Sequence, residues 1–351
     1  MAFEPTPALE ASEPPEARGL ARDKVRLMVA GRASGQIVHK HFRDLPQYLR
    51  PGDLLVINTS ATLPAAVPAR RADGAPIEVR FATRARPPAG PDLFVVELRG
   101  ARGEPLPGAG YTDEQILLPD PARLHLLAPY AAPGRLWLAH LDLRRHNGPT
   151  ADDSLHGYLL NHGHPIRYRY VPQPWPLSAY QTVYATTPGS AEMPSAGRPF
   201  TNELLTRLAA GGTMIAPVTL HCGVSSPERD EPPYPEEYVV SEPTARLVNA
   251  VRAWGGRILA VGTTVVRALE SAVAPDGTVR AAAGWTDLVV SAERLPAVVD
   301  GLITGWHEPG ASHLRILEAI AGAALIQRCY ASALAAGYLW HEFGDSHLIL
   351  P

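Results

Sequence analysis

The stretch "RILAVGTTVVRALESA", residues 257–272, decides the fold class of this chain. An apolar strand ends at Val261, Gly262 provides a turn, and Thr263 or Thr264 can cap the helix that follows. A strand that passes into a helix through a short turn is typical of a sheet covered by helices. Because the N–H groups and the dipole at such a helix start favour an anion, this turn is a candidate site for a carboxylate or a phosphate.

The same stretch excludes two kinds of nucleotide site. It has no lysine of a phosphate-binding loop, and it lacks the second and third glycines of a dinucleotide fingerprint. A capped turn without any ligand remains the alternative to an anion site. Arg267 and Glu270 lie three residues apart on one face of the helix, a spacing that is typical of a surface ion pair.

The segments around this stretch alternate between strand and helix. Helices are predicted at residues 201–212, 242–256 and 312–337, and strands at residues 213–222, 287–290 and 297–306. Thr201 is a candidate N-cap of the first of these helices, and Gly322 is expected to break the last one. The sequence therefore predicts an α/β fold with a mixed sheet and covering helices.

Residues 60–145 follow a different rhythm. Short runs rich in β-forming residues recur between turns, among them "IEVRFA", "DLFVVELRG" and "RLWLAHLDL", and no helix-length periodic segment interrupts them. This spacing predicts a small β-barrel. We expect an inserted barrel domain at residues 59–154 and an α/β domain built from residues 1–58 and 155–351. The acidic, proline-rich first twenty residues are expected to form a loose arm.

Composition excludes several classes of protein. The 351 residues carry a formal net charge of -3, so no overall basic field indicates a nucleic-acid binder, although a local patch would be enough. Two distant cysteines, Cys222 and Cys329, do not make a disulfide framework. We expect neither a signal peptide, since the first twenty residues have no apolar segment, nor a membrane span, since no run approaches about 20 apolar residues. We expect a cytoplasmic protein without membrane contact, either a monomer or a weak homo-oligomer.

Polar and aromatic residues stand next to three of the predicted strands, where open α/β sheets bind their ligands. They are His221 and Gly223, Thr286 and Asp287, and Trp306 and His307. A histidine at such a position can act as a base or as a hydrogen-bond partner. A lone histidine is more often structural, so both interpretations remain open.

Two further features point to other ligands only weakly. His162 and His164 are spaced as metal ligands can be, but no paired cysteine, HExxH motif or carboxylate at ligand spacing accompanies them, so we predict no metal. "RYRY", residues 167–170, interleaves arginine and tyrosine as nucleic-acid surfaces do, but a solvated edge is the plainer interpretation.

The loop "YQTVYATTPGSAEMPSAGRPFTNELL", residues 180–205, is dense in small residues and leads into a helix start. It is either a connection or a cradle for a small polar ligand. The loop alone does not decide between these two interpretations, so we consider it together with the other motifs of the chain.

In sequence, the chain resembles the S-adenosylmethionine:tRNA ribosyltransferase-isomerase family of queuosine biosynthesis. The motifs that carry the resemblance occur in order along almost the whole chain after the first twenty residues. They are "GQIVHKHFRDLPQYLRPGDLLVIN", "YQTVYATTPGSAEMPSAGRPFT", "VTLHCGV", "GGRILAVGTTVVRALES", "GWTDLVV", "VVDGLITGWHEP" and "GYLWHEFGDSHLI".

The resemblance implies both a fold and a reaction. The fold is an α/β domain with a β-barrel inserted near the N-terminal third. The reaction uses S-adenosylmethionine as a co-substrate and needs no metal. Its ribosyl portion is transferred to the aminomethyl group of a 7-deazaguanine base in tRNA, methionine and adenine leave, and the sugar becomes an epoxycyclopentane.

Roles for site residues follow from that resemblance. His221 or His307 would be the general base, and Asp287 is a third candidate catalytic residue. N–H groups around Gly262–Thr264 or Ser195–Thr201 would bind the methionine carboxylate, and an aromatic wall would receive the adenine. The candidate binding residues are Tyr180, Ser195, Ala196, Gly197, Thr201, Gly223, Gly262, Thr263, Thr264, Arg267, Trp285, Thr286 and Trp306.

The chain also departs from the family's usual motifs. This chain has "NTSAT" at residues 58–62 where the family usually has "NDTRV", and "PSAGRPFT" at 194–201 where the family has "PTAGLHFT". It also has "LHCGVSSP" at 220–227 in place of "LHVGLGTF", and "GWHEP" at 305–309 in place of "NFHLP". Arg198 and Pro199 thus replace a leucine and a histidine in a loop that we expect to face the pocket. Three functions stay open: the family's reaction on tRNA, a reaction of S-adenosylmethionine with a small-molecule acceptor, and binding without catalysis.

Overall fold

The computed structural model describes residues 7–87, 90–106, 110–130, 135–143, 154–224, 234–308 and 312–351. The α-helices of these residues are α1 (Leu155–His162), α2 (Asn202–Ala210), α3 (Glu242–Ala253), α4 (Thr263–Ser271), α5 (Ser312–Ala321) and α6 (Ala323–Ala335). The strands that build the main sheet are β1 (Arg26–Gly31), β2 (Ile37–His41), β3 (Leu54–Asn58), β12 (Met214–Leu220), β13 (Glu236–Val240), β14 (Ile258–Val261), β15 (Ala282–Thr286), β16 (Gly301–Thr304) and β17 (Ser346–Leu350). The remaining strands are β4 (Ser60–Thr62), β5 (Ala66–Arg70), β6 (Pro76–Arg84), β7 (Leu93–Gly100), β8 (Gln115–Leu117), β9 (Arg123–Tyr130), β10 (Leu136–Asp142) and β11 (Thr187–Ser190).

The main sheet has nine strands in the order β15-β13-β12-β3-β14-β16-β17-β1-β2. Its centre is parallel, because β12 and β14 both pair with β3 in parallel and β14 pairs in parallel with β16. Towards the edges, β13, β15 and β2 pair antiparallel with their neighbours. The predicted α/β fold with a mixed sheet is therefore confirmed.

The apolar run at β3 explains why this strand lies at the centre. Leu54, Leu55 and Val56 have no exposed surface, and Ile57 is only 6% exposed. A strand covered on both faces reads as a continuous apolar run, as this one does. The parallel neighbours bring their carboxyl ends to the same edge of the sheet as Asn58.

The turn that decides the fold behaves as predicted. Gly262 has φ +91°, a conformation that residues with a Cβ rarely adopt, and α4 begins at the next residue. Val265, Val266 and Leu269 of α4 have no exposed surface, so the helix is fixed against the sheet. The predicted break of the last helix is confirmed too, since Gly322 has φ +81° between α5 and α6.

The predicted barrel is present as well. Strands β10-β7-β6-β5-β8-β9 form a closed barrel with its own apolar core. The preceding strand β4 lies outside it and pairs in parallel with β11, which comes from the loop at residues 180–205. This pair joins the start of the barrel segment to that loop. The domain boundaries at residues 58–59 and 154–155 stay predictions.

Two expectations about chain segments are wrong. Residues 287–290 are not a strand, because the strand is β15 and ends at Thr286. The backbone of Leu288 forms hydrogen bonds with side chains instead of with a neighbouring strand. Its N–H donates to the Thr286 hydroxyl, and its carbonyl accepts from the Arg267 guanidinium. The expected loose arm is packed over the residues that are described: Ala11 is 2% exposed and bonds through its backbone to Trp340. None of the described helices combines the length and apolarity that a membrane span requires.

Candidate active site

A cavity of about 340 Å³ opens where the carboxyl ends of β14 and β16 face the barrel. Its lining includes Gly262 and His307 from the sheet side and Tyr130 and Leu136 from the barrel. Ligands bind at this position in open α/β sheets, and the volume lies within the range of small-molecule pockets. The cavity therefore is the candidate active site.

One wall of the cavity is the start of α4. Gly262, Thr263 and Thr264 all line it, as predicted, and no side chain caps this helix. Asn58 donates to the Thr264 hydroxyl at 3.4 Å. Ser195 and the neighbouring Ala196 also line the cavity. Unused N–H groups at a helix start make this wall suitable for a carboxylate.

Arg267 also lines the cavity, but its charge is already used. Its guanidinium donates to the carbonyls of Leu288 and Thr286 and forms an ion pair with Glu236. The expected surface ion pair with Glu270 is wrong, because both side chains are buried and Glu270 instead accepts from the backbone at residues 297–299. Arg267 therefore shapes the wall instead of offering a free cation.

His307 is one of three histidines that line the cavity, together with His313 and His341. Its Nε2 lies 3.0 Å from the Thr304 hydroxyl, and its ring stacks on His313 with a centroid distance of 4.4 Å. Burial, together with the neighbouring His313, His341 and His347, holds the pKa of His307 well below its ordinary value. The imidazole is therefore neutral near pH 7, which is the form that can accept a proton.

Trp306 lines the cavity mostly as part of a buried aromatic cluster. It is 1% exposed and stacks on His347 at a centroid distance of 4.9 Å. Its Nε1 has no hydrogen-bond partner among the described residues. Such an indole provides an apolar wall with one donor.

His221, the other candidate base, does not line the cavity. Its Nδ1 lies 2.8 Å from the Ser60 hydroxyl, which is also 2.6 Å from the Ser190 hydroxyl, and its ring packs against Gly189. Burial is the main cause that lowers the pKa of His221. This network joins β4, β11 and the end of β12, so the geometry favours a structural role.

Other predicted site residues also lie outside the cavity lining. They are Tyr180, Gly197, Thr201, Trp285, Thr286 and Asp287. The Asp287 side chain is 75% exposed and lies 4.0 Å from Arg86, while Thr201 caps α2 through Leu204. Tyr180 is buried in an apolar cluster with Phe343. Gly223, Gly262 and Ser195 line the same cavity, whereas the six residues named above do not line it.

Several cavity residues escaped the sequence analysis. Tyr168 and Tyr170 belong to "RYRY" and line the cavity, so that stretch is part of a wall and not a solvated edge. Tyr170 stacks on His341 with a centroid distance of 3.9 Å and an angle of 10°. Glu342 follows His341 and lines the cavity too. The interleaved aromatics were the available signal, but their partners come from about 170 residues away in the chain.

Arg198 does not add a charge to the cavity, contrary to our expectation for this loop. Its guanidinium donates to the carbonyl of Ala179 and to Glu16 at 2.9 Å, and it lies over the Phe343 ring. Glu16 belongs to the packed N-terminal arm. The arm therefore neutralises the arginine that stands where the family pattern has leucine.

One group of side chains could accommodate a divalent cation. Within the described residues, Glu10, Glu308 and His341 bring one ligand atom each to within 4.8 Å of one another. His162 and His164 do not belong to this group: the His162 ring contacts the Tyr158 ring at a tilt of 38° instead. The cysteine at the cavity, Cys222, is an unreactive thiol because burial raises its pKa far above the ordinary value.

The mixed sheet, the barrel and the cavity with a helix start, histidines and aromatic walls define an α/β enzyme with a small-molecule site at the carboxyl ends of its parallel strands. The chain belongs to the family described as queuosine biosynthesis protein, whose model matches residues 1–349.

Named relatives cover nearly the same length. An S-adenosylmethionine:tRNA ribosyltransferase-isomerase of Symbiobacterium thermophilum is 39% identical over 341 residues, which are 94% of each chain. Its counterpart in Thermus thermophilus is 37% identical over 94% of this chain and 93% of its own. The crystal structure of S-adenosylmethionine tRNA ribosyltransferase from Thermotoga maritima matches with a TM-score of 0.54 and 28% identity over 99% of both chains.

Proposed function

We propose that this chain transfers the ribosyl portion of S-adenosylmethionine to a 7-aminomethyl-7-deazaguanine base in tRNA, isomerises it, and releases adenine and methionine. Relatives named for this reaction match 94% of the chain. The observation that carries the proposal is the meeting of the α4 start and the neutral His307 on one cavity at the carboxyl ends of the parallel strands.

The start of α4 binds the methionine carboxylate in this proposal. Thr263 and Thr264 present backbone N–H groups at the positive end of the helix dipole, and Thr264 adds a hydroxyl. The Gly262 N–H takes no part, because it donates to the carbonyl of Ile303 at 2.8 Å. Arg267 takes no part in this contact, because its donors are occupied by carbonyls and by Glu236.

Aromatic side chains form the wall for the adenine. Tyr168, Tyr170 and Trp306 line the cavity, and their rings provide an apolar surface that a purine can contact. Tyr180 and Trp285, which the sequence suggested for this role, do not line the cavity. We therefore assign the adenine wall to the first three residues.

His307 is the general base in this proposal. The sulfonium acidifies the neighbouring ribose C–H, so a modest base is enough to remove the proton. The neutral imidazole of His307 lies on the cavity and is oriented by Thr304 at 3.0 Å. His221 lacks contact with the cavity and takes no part in this step.

Only the modified base of the tRNA enters the site. A cavity of about 340 Å³ has no room for a polynucleotide, so the base must leave the nucleic-acid stack before it reacts. No metal is assigned a role in the reaction. A cytoplasmic location, where tRNA is modified, and the oligomeric state stay predictions.

The proposal is tested by the release of adenine from S-adenosylmethionine. The protein is incubated with S-adenosylmethionine alone, with tRNA that carries the aminomethyl base, and with the free aminomethyl base, and adenine is measured by chromatography. Release that requires the modified tRNA is the expected result. Release with the free base at the same rate would favour the small-molecule acceptor, and binding without release in any arm would contradict catalysis.

A further inference from the structure

Glu342 is a partly buried residue that lines the cavity, and one of its carboxyl oxygens is buried without a hydrogen-bond partner among the described residues. Its Oε1 accepts from the Tyr170 hydroxyl at 2.9 Å, whereas its Oε2 is buried without a hydrogen-bond partner among the described residues. The side chain forms no ion pair within the described part of the chain either. An unpaired buried carboxylate oxygen is costly, and a hydrogen-bond donor of a ligand would offset that cost.

The surroundings of Glu342 favour a positively charged ligand. Glu308 lies 3.9 Å from the ring of His341, the preceding residue, and stands where the family pattern has leucine. This end of the cavity thus holds two carboxyl groups, whereas the α4 start suits an anion.

The backbone beside Glu342 helps to hold its carboxyl group in one place. His341 has φ +71°, a left-handed conformation that is uncommon for residues other than glycine. The stacking of its ring on Tyr170 holds this conformation in place. The same tyrosine donates to Glu342, so stack and hydrogen bond fix the carboxyl group together.

We propose that Glu342 binds a primary ammonium group of the substrates. This inference rests on the proposed function, in which S-adenosylmethionine carries an α-ammonium group and the acceptor carries an aminomethyl group. A primary ammonium supplies both the charge and the N–H donor that Oε2 lacks, whereas the sulfonium has no donor to offer. Both sources have the same chemistry, and affinity measurements separate them.

The test is the substitution Glu342→Gln, which keeps the shape and removes the charge. Calorimetric titration gives the Kd for S-adenosylmethionine, and the tRNA dependence of adenine release gives the KM for the acceptor. One of the two constants should rise by about 30-fold or more, because a charged hydrogen bond is lost. A rise in Kd assigns Glu342 to the methionine ammonium, and a rise in KM alone assigns it to the aminomethyl group.

Stability separates a binding role from a structural one. Because the unpaired carboxyl group is costly to bury, Glu342→Gln should leave the Tm unchanged or raise it while binding weakens. A matched substitution, Glu318→Gln on α5, should change neither constant, since Glu318 does not line the cavity. Tyr170→Phe should weaken the same constant less than Glu342→Gln does, because the carboxylate remains.

Two results would overturn the inference. Either Kd and KM of Glu342→Gln both stay within twofold of the unaltered protein, or the variant loses Tm while its affinities are kept. If Glu342→Gln does not fold, its carboxyl group is structural and the inference fails in the same way. Failure of the unaltered protein to release adenine would instead contradict the proposed function itself.

Discussion

Gly262 joins the fold and the site in a single residue. Its φ of +91° lets β14 end and α4 begin without an intervening loop, and its surface lies on the cavity. A Cβ at this position would lie 3.3 Å from the Thr264 hydroxyl and 3.5 Å from Ala196. The glycine is thus required chiefly by its backbone conformation, while the contact with Thr264 would be tight and that with Ala196 ordinary.

Gly262→Ala should therefore lower both stability and affinity. The strained backbone is expected to cost about 1–2 kcal/mol in the free energy of unfolding. The shifted helix start should also weaken the binding of S-adenosylmethionine by several-fold. Chemical denaturation and calorimetric titration measure the two effects, with Gly277→Ala, a positive-φ glycine in a turn away from the cavity, as the control for strain alone.

His307→Ala tests the assignment of the base. The rate of adenine release should fall by about 10²–10⁴, because the residue that accepts the ribose proton is removed. The Kd for S-adenosylmethionine should change much less. The comparison variant is His221→Ala, for which we expect a loss below about tenfold. Equal losses in the two variants, or full activity of His307→Ala, would refute the assignment.

At the scale of elements, the turns before β3 and β14 are joined by one buried ion pair. Asp53 accepts from the Arg257 guanidinium at 3.0 Å, from the Arg257 backbone and from the Arg50 backbone. Its side chain is 3% exposed. This pair sets the relative position of two central strands, whose far ends carry the cavity.

Asp53→Asn should cost about 3 kcal/mol in the free energy of unfolding, because it leaves the Arg257 charge buried without its partner. Burial raises the pKa of Asp53, but the Arg257 hydrogen bonds and charge outweigh it, so the folded pKa lies below the ordinary value. The stabilisation is therefore complete above the unfolded pKa of about 3.9 and is lost as the pH falls through the folded pKa.

Denaturation curves from pH 7 down to pH 2 check this expectation. The difference between the unaltered protein and Asp53→Asn should be constant near neutral pH and should shrink below about pH 4. Asp23→Asn provides a control, since Asp23 pairs with a half-exposed Arg43 and should contribute less than about 1 kcal/mol. A difference that grows on acidification would contradict the role given to Asp53.

The elements that the sequence predicted well are those with local signals. The strand–turn–helix at residues 257–272 and the glycine break at Gly322 depend on apolar spacing and on one residue type each. The strand expected at 287–290 failed for a reason that no local pattern contains. There, Arg267 and the Thr286 hydroxyl take the hydrogen bonds that a neighbouring strand would have taken.

At the scale of the whole molecule, the fold class and the family followed from ordered motifs, but the composition of the cavity did not. Ser195, Gly262, Trp306 and His307 were found because they follow strands or begin helices. Tyr170 and Glu342 were missed because their contact joins segments 172 residues apart. Such a pairing depends on the complete fold, whereas periodicity and turn residues report only on neighbours in the chain.

The packed N-terminal arm is a second property of the whole molecule. Glu16 reaches Arg198, and Arg18 donates to the carbonyl of Phe343 at 2.7 Å. A sequence that is acidic and rich in proline looked loose by composition alone. Because Glu16 of the arm pairs with Arg198, the arginine that replaces the family's leucine does not leave an uncompensated charge.

The central claim is that the ribosyl portion of S-adenosylmethionine, and not its methyl group, is transferred at this cavity. The most direct measurement follows isotope from two labelled preparations of S-adenosylmethionine, one labelled in the ribose and one in the methyl group, into tRNA that carries the aminomethyl base. We predict that the ribose label enters the tRNA, with adenine released in equal amount, while the methyl label leaves with methionine. Methyl label in the tRNA, or no ribose label in it, would contradict this account.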